Sequence, residues 1–165
     1  ALRRLFVIEE AKAWAPTLRS KTPLRAAAVW HLCDPSLAAA SLETNPDGLL
    51  NDLNTMGYLF ESLCVRDLRV YARTMGGGIY HYRDKGGLEA DIIVRLQDGR
   101  WGGIEVKLGG EARINEGASN LLALAAKVDE QKTGQPAFLS VVTGGRYAYT
   151  RPDGVHVIPL GCMAH

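Results

Sequence analysis

Hydrophobic and polar positions follow helical spacing in some segments of the chain and strand spacing in others. Apolar residues recur at helical spacing over about 55–73 and again over about 116–130, which predicts two long helices. Three apolar segments separated by glycine-containing turns lie between these helices and are typical of strands. Other strands are expected before the first helix and after the second. The predicted strands cover residues 5–8, 26–33, 79–83, 89–96, 101–108, 137–142, 147–150 and 155–159.

The order of helix, three strands, helix and further strands predicts an α/β fold, with a mixed β-sheet flanked by helices. Asp34 or Ser36 is expected to cap a short helix that runs through Leu42. Residues 45–48 read Asn-Pro-Asp-Gly and are predicted to form a loop. The buried stripe of the second long helix is expected to consist of Ala118, Leu121, Leu122, Ala125 and Val128.

The composition is that of an ordinary globular protein. The chain has 165 residues, of which 47% are hydrophobic and 22% charged, so it can bury a core and is not a disordered segment. No apolar run approaches the roughly 18–20 residues that span a bilayer, and no secretory signal precedes the first strand. Cys33, Cys64 and Cys162 lack the spacing of a metal or redox motif, which favours reduced thiols and a cytoplasmic location.

Charge is distributed unevenly along a chain whose formal net charge is only +1. Residues 1–25 carry six basic and two acidic side chains, which leaves the rest of the chain net acidic. A strongly basic nucleic-acid-binding body is therefore excluded. We interpret residues 1–25 as a connector from a separate N-terminal part that this fragment lacks, and residues 26–165 as the domain itself.

The predicted strand at 101–108 carries the clearest chemical signal. Alternation along a strand places Glu105 and Lys107 on one face, with Ile104, Val106 and Leu108 on the other. A carboxylate and an amine two residues apart on one face could form a catalytic pair. The same spacing is also compatible with a surface ion pair.

Two further carboxylates are candidates for the same site. Asp91 leads directly into three apolar residues, where a carboxylate is costly unless it is paired or holds a metal. It should lie within about 6 Å of Glu105, because a short turn joins the two strands. Alternatively, Asp91 could cap a strand end by binding a backbone amide. Glu61 falls beside the buried stripe of the first long helix, where it could instead pair with an arginine.

Together, Glu61, Asp91 and Glu105-Val106-Lys107 resemble the PD-(D/E)XK nuclease superfamily, the restriction-endonuclease-like fold. The resemblance implies that the aspartate and the glutamate bind Mg²⁺ (or Mn²⁺), and that Lys107 assists the attacking water. The proline that usually leads this motif is replaced by Ala90 in this chain.

Metal-dependent phosphodiester hydrolysis would use these groups in distinct roles. Mg²⁺ usually takes only one or two carboxylates, a number that Asp91 and Glu105 supply, and the backbone carbonyl of Val106 could add a third oxygen. Bound metal lowers the pKa of its water and polarises the phosphate. Lys107 could position or deprotonate that water, while Glu61 could hold a second metal or a metal-bound water.

A broader resemblance covers about residues 24–161 and rests on five stretches. They are Asp34-Pro35-Ser36-Leu37-Ala38, Gly57-Tyr58-Leu59-Phe60-Glu61-Ser62-Leu63, Tyr80-His81-Tyr82-Arg83-Asp84, Glu89-Ala90-Asp91-Ile92-Ile93 and Ile104-Glu105-Val106-Lys107-Leu108. These stretches look like the C-terminal domain of a bacterial and archaeal family of AAA-type ATP-binding proteins of unknown function, in which a P-loop ATPase and a winged-helix segment come first. The resemblance implies DNA and the chain's own ATPase as partners. The chain has no G-x-x-x-x-G-K-[ST] motif.

These observations favour a metal-dependent nuclease that cuts DNA, and two alternatives stay open. The domain could be a catalytically silent binding module for DNA or for its ATPase, or a protein-interaction domain. Arginines spaced three and four residues apart on the first long helix could contact phosphates, or could form a solvated face. Weaker candidates for the site are His81 and Asn120. The candidate phosphate contacts are Arg66, Arg69, Arg73, Arg83, Lys85 and Arg113.

Overall fold

The structure is a computed structural model that describes residues 7–16 and 27–163. These segments contain eight strands and five helices, and a short 3-10 turn at Leu160–Cys162 follows the last strand. The strands are β1 (Ile8–Ala13), β2 (Val29–Leu32), β3 (Gly77–Arg83), β4 (Glu89–Leu96), β5 (Trp101–Lys107), β6 (Phe138–Thr143), β7 (Tyr149–Thr150) and β8 (His156–Pro159). The helices are α1 (Pro35–Ser41), α2 (Pro46–Asn51), α3 (Leu53–Thr74), α4 (Glu111–Lys127) and α5 (Glu130–Thr133).

All eight described strands form one mixed sheet in the order β2-β1-β3-β4-β5-β6-β8-β7. The central strands β3, β4 and β5 are a meander of antiparallel neighbours. From β5 the sheet continues through β6 and β8 as parallel strands. The carboxyl ends of β5, β6 and β8 therefore meet at one edge, which the amino end of β4 shares because β4 runs the opposite way.

Long helices cover the two faces of this sheet, which confirms the predicted α/β class with a mixed sheet between helices. On one face, α3 packs through Cys64, Val65 and Leu68 against a cluster that includes Ile92 and Ile104. On the other face, α4 contributes a second buried cluster with the sheet. The α4 side chains in that cluster are Ala118, Leu121 and Leu124.

Side-chain caps set several helix starts. Asp34, one of the two predicted caps, accepts a hydrogen bond from the Ser36 amide at 2.9 Å and begins α1. The loop prediction for 45–48 is wrong, because Asn45 accepts a hydrogen bond from the Gly48 amide at 2.9 Å and starts α2 there. The residue types of Asn-Pro-Asp-Gly suit a loop, but they also suit a capped helix start.

The second long helix begins five residues before its predicted start. Gly110, with a φ of 86°, precedes α4 and allows the chain to turn directly from β5 into the helix. The expected buried stripe also needs correction, because Leu122 is 37% exposed whereas Leu124 is fully buried. The helix is rotated so that Gly117 and Ala118 face the sheet.

Part of the predicted connector belongs to the sheet. Strand β1 pairs in parallel with β3, and the Trp14 amide donates to the His81 carbonyl at 2.7 Å. The Trp14 ring is 2% exposed and its centroid lies 4.7 Å from that of Trp101. The predicted strand at 5–8 lies mostly outside the described residues, and the strand observed here is Ile8–Ala13. The domain boundary at residue 25 stays a prediction.

Two other features agree with the composition. No helix in the described parts of the chain has the length and apolar character needed to cross a membrane. Cys33, Cys64 and Cys162 are all free thiols, and Cys64 is fully buried against the sheet.

Candidate active site

The end of β5 presents Glu105 and Lys107 towards α4. Lys107 Nζ lies 2.7 Å from Glu105 Oε2, and the side chains are 22% and 2% exposed, respectively. Gly117 allows α4 to approach, because a Cβ atom there would lie 3.1 Å from Glu105 Cβ and 3.3 Å from Lys107 Cε. Ile104 and Val106 pack with α3 on the opposite face. The predicted division of this strand into two faces is therefore confirmed.

A β-bulge at the start of β4 places Asp91. Tyr80 pairs with Ile93 and Tyr82 with Ala90, so β4 has one residue more than β3 between these two pairs. The extra residue falls at Asp91 and Ile92, opposite His81. A bulge bends its strand and redirects a side chain, and bulges are common beside active sites. Here the bulge lies where the pairing of β4 with β5 ends, at Ile92 and Ile104.

Asp91 binds the backbone of the neighbouring strand. Its Oδ2 accepts a hydrogen bond from the Val106 amide at 2.8 Å. The Val106 amide lies just beyond Ile92 and Ile104, the last residues paired between β4 and β5. Its hydrogen bond is therefore to the Asp91 side chain. The capping role that the sequence left open for Asp91 is therefore present, and the contact holds the carboxylate next to the Glu105-Val106-Lys107 segment.

The carboxylates at this edge repel one another in a poorly solvated environment. Burial and the nearby charge of Asp91 raise the pKa of Glu105 to about 7, even though hydrogen bonds from Lys107 and Asn120 act in the opposite direction. Burial also raises the pKa of Asp91, against the effect of the Val106 amide. Two acids whose charges interact this closely make up a site that favours a bound cation or proton.

Glu61 reaches the same group of charges from α3. Burial, followed by the charge of Asp91, raises the pKa of Glu61 to about 7, while Lys107 lowers it. Its side chain is 29% exposed. Asp91 therefore interacts with a carboxylate from each side of the sheet. The structure brings together all four predicted catalytic residues, namely Glu61, Asp91, Glu105 and Lys107.

Lys107 remains a cation in this arrangement. Burial lowers its pKa, but the hydrogen bond to Glu105 and the charges of Glu105 and Asp91 outweigh that effect, so the pKa lies above its usual value. Lys107 is therefore a charged hydrogen-bond donor whose positive charge offsets the negative charges of Glu105 and Asp91.

Asn120 and His31 each contact one of the four charged residues, and His81 contacts the Ala27 carbonyl. Asn120, a weaker candidate from the sequence, donates from α4 to Glu105. His81 is buried, and its Nε2 lies 3.1 Å from the Ala27 carbonyl. Sequence reasoning missed His31, which is 5% exposed with its Nδ1 atom 4.0 Å from Glu61 Oε1. The sequence did offer a signal, because His31 is a polar residue inside the apolar segment 26–33 that was predicted to be a strand.

His31 is neutral near pH 7, because burial and the charge of Arg69 lower its pKa to about 4. Its contact with Glu61 is therefore not an ion pair at neutral pH. The other ring nitrogen, Nε2, has no hydrogen-bond partner among the described residues.

The predicted phosphate contacts differ in their exposure and in their ion-pair partners. Arg69 is only 14% exposed and binds Glu9 at 2.7 Å, which commits it to β1. Arg66 is 42% exposed and pairs with its neighbour Asp67 at 2.8 Å. Arg66, Arg69 and Arg73 keep the spacing of one helix face, on which Arg69 is the most buried, and their contact with phosphate stays a prediction. Among the others, Arg73 and Lys85 are exposed, Arg83 pairs with Glu89 at 3.0 Å, and Arg113 pairs with Glu116 at 3.2 Å.

Fold and site together define an α/β domain with a cluster of acidic residues and one lysine at a sheet edge. In the described ranges, no group of three or more His, Cys, Asp or Glu side chains is placed to hold a metal ion. A cation here would rely on the two carboxylates Asp91 and Glu105 together with backbone or water oxygens, as Mg²⁺ sites often do.

Residues 56–163 match the family described as Domain of unknown function (DUF4143), and the chain belongs to this family. Domains of this family often lie C-terminal to AAA ATPases. The matched segment runs from the start of α3 to the end of the described chain, so it includes all four clustered residues. Searches of curated proteins and of solved structures gave no match.

Proposed function

We propose that this domain is a restriction-endonuclease-like PD-(D/E)XK module that hydrolyses phosphodiester bonds in DNA with Mg²⁺ or Mn²⁺. The observation that carries the proposal is the position of Asp91. A bulge and a hydrogen bond to the Val106 amide hold this carboxylate beside Glu105, at the strand end that also presents Lys107. This is the arrangement that the resemblance to the nuclease superfamily implies.

The electrostatics support a cation at this edge. Both Glu61 and Glu105 have pKa values raised to about 7 by burial and by Asp91. Among the described residues, Lys107 is the positive charge that opposes this group of acids near neutral pH. A divalent ion would let the carboxylates ionise together, since a nearby positive charge favours their charged form. Perturbed acids of this kind are typical of functional sites.

The donor set fits Mg²⁺ or Mn²⁺. Both ions take oxygen ligands, and Mg²⁺ commonly uses one or two carboxylates. Asp91 would be one ligand, and the hydrogen bond from the Val106 amide to its Oδ2 would hold the carboxylate in place. Glu105 and the Val106 carbonyl are the other proposed ligands. When bound, such an ion supplies an acidified water and polarises a phosphate.

The chain's own residues have complementary roles in this proposal. Lys107 donates hydrogen bonds and balances charge beside the scissile phosphate. Asn120 holds Glu105 from α4. Glu61 has a pKa of about 7, which suits a group that exchanges protons near neutral pH.

The partners and setting follow from the family. We propose that the domain works as the C-terminal module of an ATP-binding protein, since domains of this family often lie C-terminal to AAA ATPases. Three free cysteines suit the reducing cytoplasm. The near-neutral charge of the chain implies that other parts of the protein supply much of the DNA affinity.

A catalytically silent binding module is the second candidate, and one observation favours it. Asp91 and Glu105 each already have a partner in the protein, since Asp91 accepts from the Val106 amide and Glu105 pairs with Lys107. Such a network can hold a strand end together without chemistry. The unfavourable ionisation of Glu105 and Glu61 argues for the enzyme, because a purely structural site gains nothing from mutually repelling acids.

A cleavage assay separates the two candidates. The 165-residue chain and the same domain joined to its ATPase module with ATP would be incubated with single-stranded, duplex and branched DNA in Mn²⁺, Mg²⁺ or EDTA. Asp91→Asn serves as the matched inactive variant and Asp47→Asn, on exposed α2, as the control. We expect cleavage that requires metal and Asp91. No cleavage by either protein would support the binding module.

A further inference from the structure

The long helix α3 is covered unevenly along its length. Successive helical residues turn by about 100°, which places five residues on its outward face, opposite the face that packs on the sheet. They are Leu59, Leu63, Arg66, Val70 and Arg73. The two leucines lie in the first half of the helix and are half-buried, whereas the other three lie in the second half and are exposed. Because α1 and α2 both pack against α3, they cover the outward face of its first half and leave that of its second half open.

The cover formed by α1 and α2 has an apolar outer side. No residue from 34 to 60 is fully buried. Four leucines in this range are between 50% and 60% exposed, namely Leu37, Leu42, Leu50 and Leu53. The open half of α3, residues 66–75, adds Val70 and Met75, which are 51% and 59% exposed. Exposed apolar residues grouped in this way are typical of a surface that binds another protein.

The two parts of this surface carry opposite charge. Residues 34–60 contain four acidic side chains and no lysine, arginine or histidine. The open half of α3 contains three arginines and one aspartate, which gives a balance of +2. Arg69 is bound to Glu9, so the exposed cations of the open half are Arg66 and Arg73. Arg66 pairs with its sequence neighbour Asp67, an exposed contact of the kind that contributes little and is easily exchanged.

This distribution of charge selects the partner. Asp52 alone separates α2 from α3, so the acidic part lies at the amino end of α3 and the basic part at its carboxyl end. DNA and anionic lipid would both be repelled by the acidic part. A uniformly basic peptide would be repelled by Arg66 and Arg73. A second copy of this chain, turned end to end, presents a basic part to the acidic one and an acidic part to the basic one.

We propose that this surface binds a second copy of the chain in a two-fold symmetric dimer. The two α3 helices run antiparallel, and the open half of each lies against α1 and α2 of the other copy. Arg66 and Arg73 then face Glu43 and Asp47, while the exposed leucines pack on Val70. A two-fold axis repeats every contact, so a surface with two complementary parts buries both of them at once. The proposal does not depend on the nuclease activity.

Sedimentation velocity of the 165-residue chain, over about a hundredfold range of concentration, tests for the dimer. We expect a monomer–dimer equilibrium. Arg66→Glu with Arg73→Glu, and separately Glu43→Lys with Asp47→Lys, place like charges opposite one another, so each double variant should dimerise at least about tenfold more weakly. An equimolar mixture of the two double variants should restore the dimer, because the facing charges are again opposite. Native mass spectrometry should show one copy of each variant in the restored dimer.

Arg113→Glu with Lys132→Glu is the matched control, because both side chains are exposed and pair locally, with Glu116 and Asp129. This variant should dimerise like wild type. Circular dichroism checks folding, and if one double variant does not fold, the other decides alone. The proposal is overturned if wild type stays monomeric, which would leave the surface to a different partner, or if it assembles beyond a dimer. It is also overturned if the folded double variants dimerise like wild type, if the control is weakened equally, or if the mixture of two folded double variants stays monomeric.

Discussion

The Asp91 carboxylate accepts a hydrogen bond from the Val106 amide at 2.8 Å, across the point where β4 and β5 separate. This single contact joins the bulged strand to the strand that carries Glu105 and Lys107. It is at once a strand cap and the means by which one acid is held against another. The two interpretations that the sequence left open for Asp91 are therefore compatible in one geometry.

Asp91→Asn should separate these two roles. The amide oxygen of asparagine can still accept from the Val106 amide, whereas the negative charge is lost. We expect the variant to fold and to be slightly more stable than wild type without metal, because Glu105 is relieved of repulsion. Mn²⁺ or Mg²⁺ should raise the melting temperature of wild type by mass action and leave that of the variant unchanged.

Differential scanning fluorimetry over a metal titration measures this shift, with Asp47→Asn as the control that should respond like wild type. Equal shifts in wild type and Asp91→Asn would place the metal elsewhere. If the melting temperature of wild type does not change, the site does not bind either metal.

Lys107→Met should reduce stability in a pH-dependent manner. At pH 8, the substitution leaves Glu105 buried without its partner, which we expect to cost about 1–3 kcal/mol. At pH 5 the cost should nearly vanish, because Glu105, with a pKa of about 7, is then already protonated in the wild type. Urea unfolding at the two pH values gives the comparison.

Lys132→Met is the control for this substitution, since Lys132 forms an exposed pair with Asp129 and such pairs contribute little. If the nuclease proposal holds, Lys107→Met should also slow DNA cleavage by about 10²-fold or more. A variant as stable at pH 8 as wild type and equally active would contradict both roles of Lys107.

Glu61→Gln should stabilise the protein at alkaline pH. The folded-state pKa of Glu61 is raised from 4.5 to about 7, so its contribution to stability is full below about pH 4.5 and is lost as the pH rises through 7. Glutamine cannot ionise and avoids that loss. We expect a gain of about 1–3 kcal/mol at pH 8 in EDTA, and almost none at pH 4.5.

Chemical denaturation across pH 4.5–8 measures the gain, and Glu43→Gln on the exposed surface provides the comparison. A difference between wild type and Glu61→Gln that does not vary with pH would show that Glu61 titrates normally in the folded protein.

Trp14→Ala should show that the segment before residue 25 contributes to the core. Trp14 is 2% exposed and packs against Trp101 and Tyr82. Its truncation should cost about 3–5 kcal/mol, the usual range for a large buried aromatic residue. Trp30→Ala is a matched control, because Trp30 is 49% exposed on edge strand β2. Similar urea midpoints for the two variants would contradict the packing described for Trp14.

Local patterns determined much of the fold. The periodicity of α3 and the three-strand meander after it were predictable, since an amphipathic helix and short hairpins depend on residues close in sequence. The division of β5 into a Glu105 and Lys107 face and an Ile104 and Val106 face followed from strand alternation alone. The cap at Asp34 was likewise readable from neighbouring residues.

Local patterns failed where two structures compete for the same residues. The Asn-Pro-Asp-Gly segment at 45–48 suits both a turn and a capped helix, and the helix is formed. The face of α4 was misjudged at Leu122, because several apolar residues on this helix could have formed the buried stripe. Packing against Glu105 and the sheet selects the face that presents Gly117.

The sequence by itself determined which residues carry the candidate chemistry, because Glu61, Asp91, Glu105 and Lys107 stand in a recognisable order along predicted elements. Only the tertiary structure decided how they interact. The bulge in β4, the hydrogen bond from Asp91 to Val106, the proximity of His31 and the commitment of Arg69 to Glu9 all depend on contacts between segments distant in sequence. Such contacts, and the pKa values that burial sets, arise from packing of the whole sheet, which no local pattern contains.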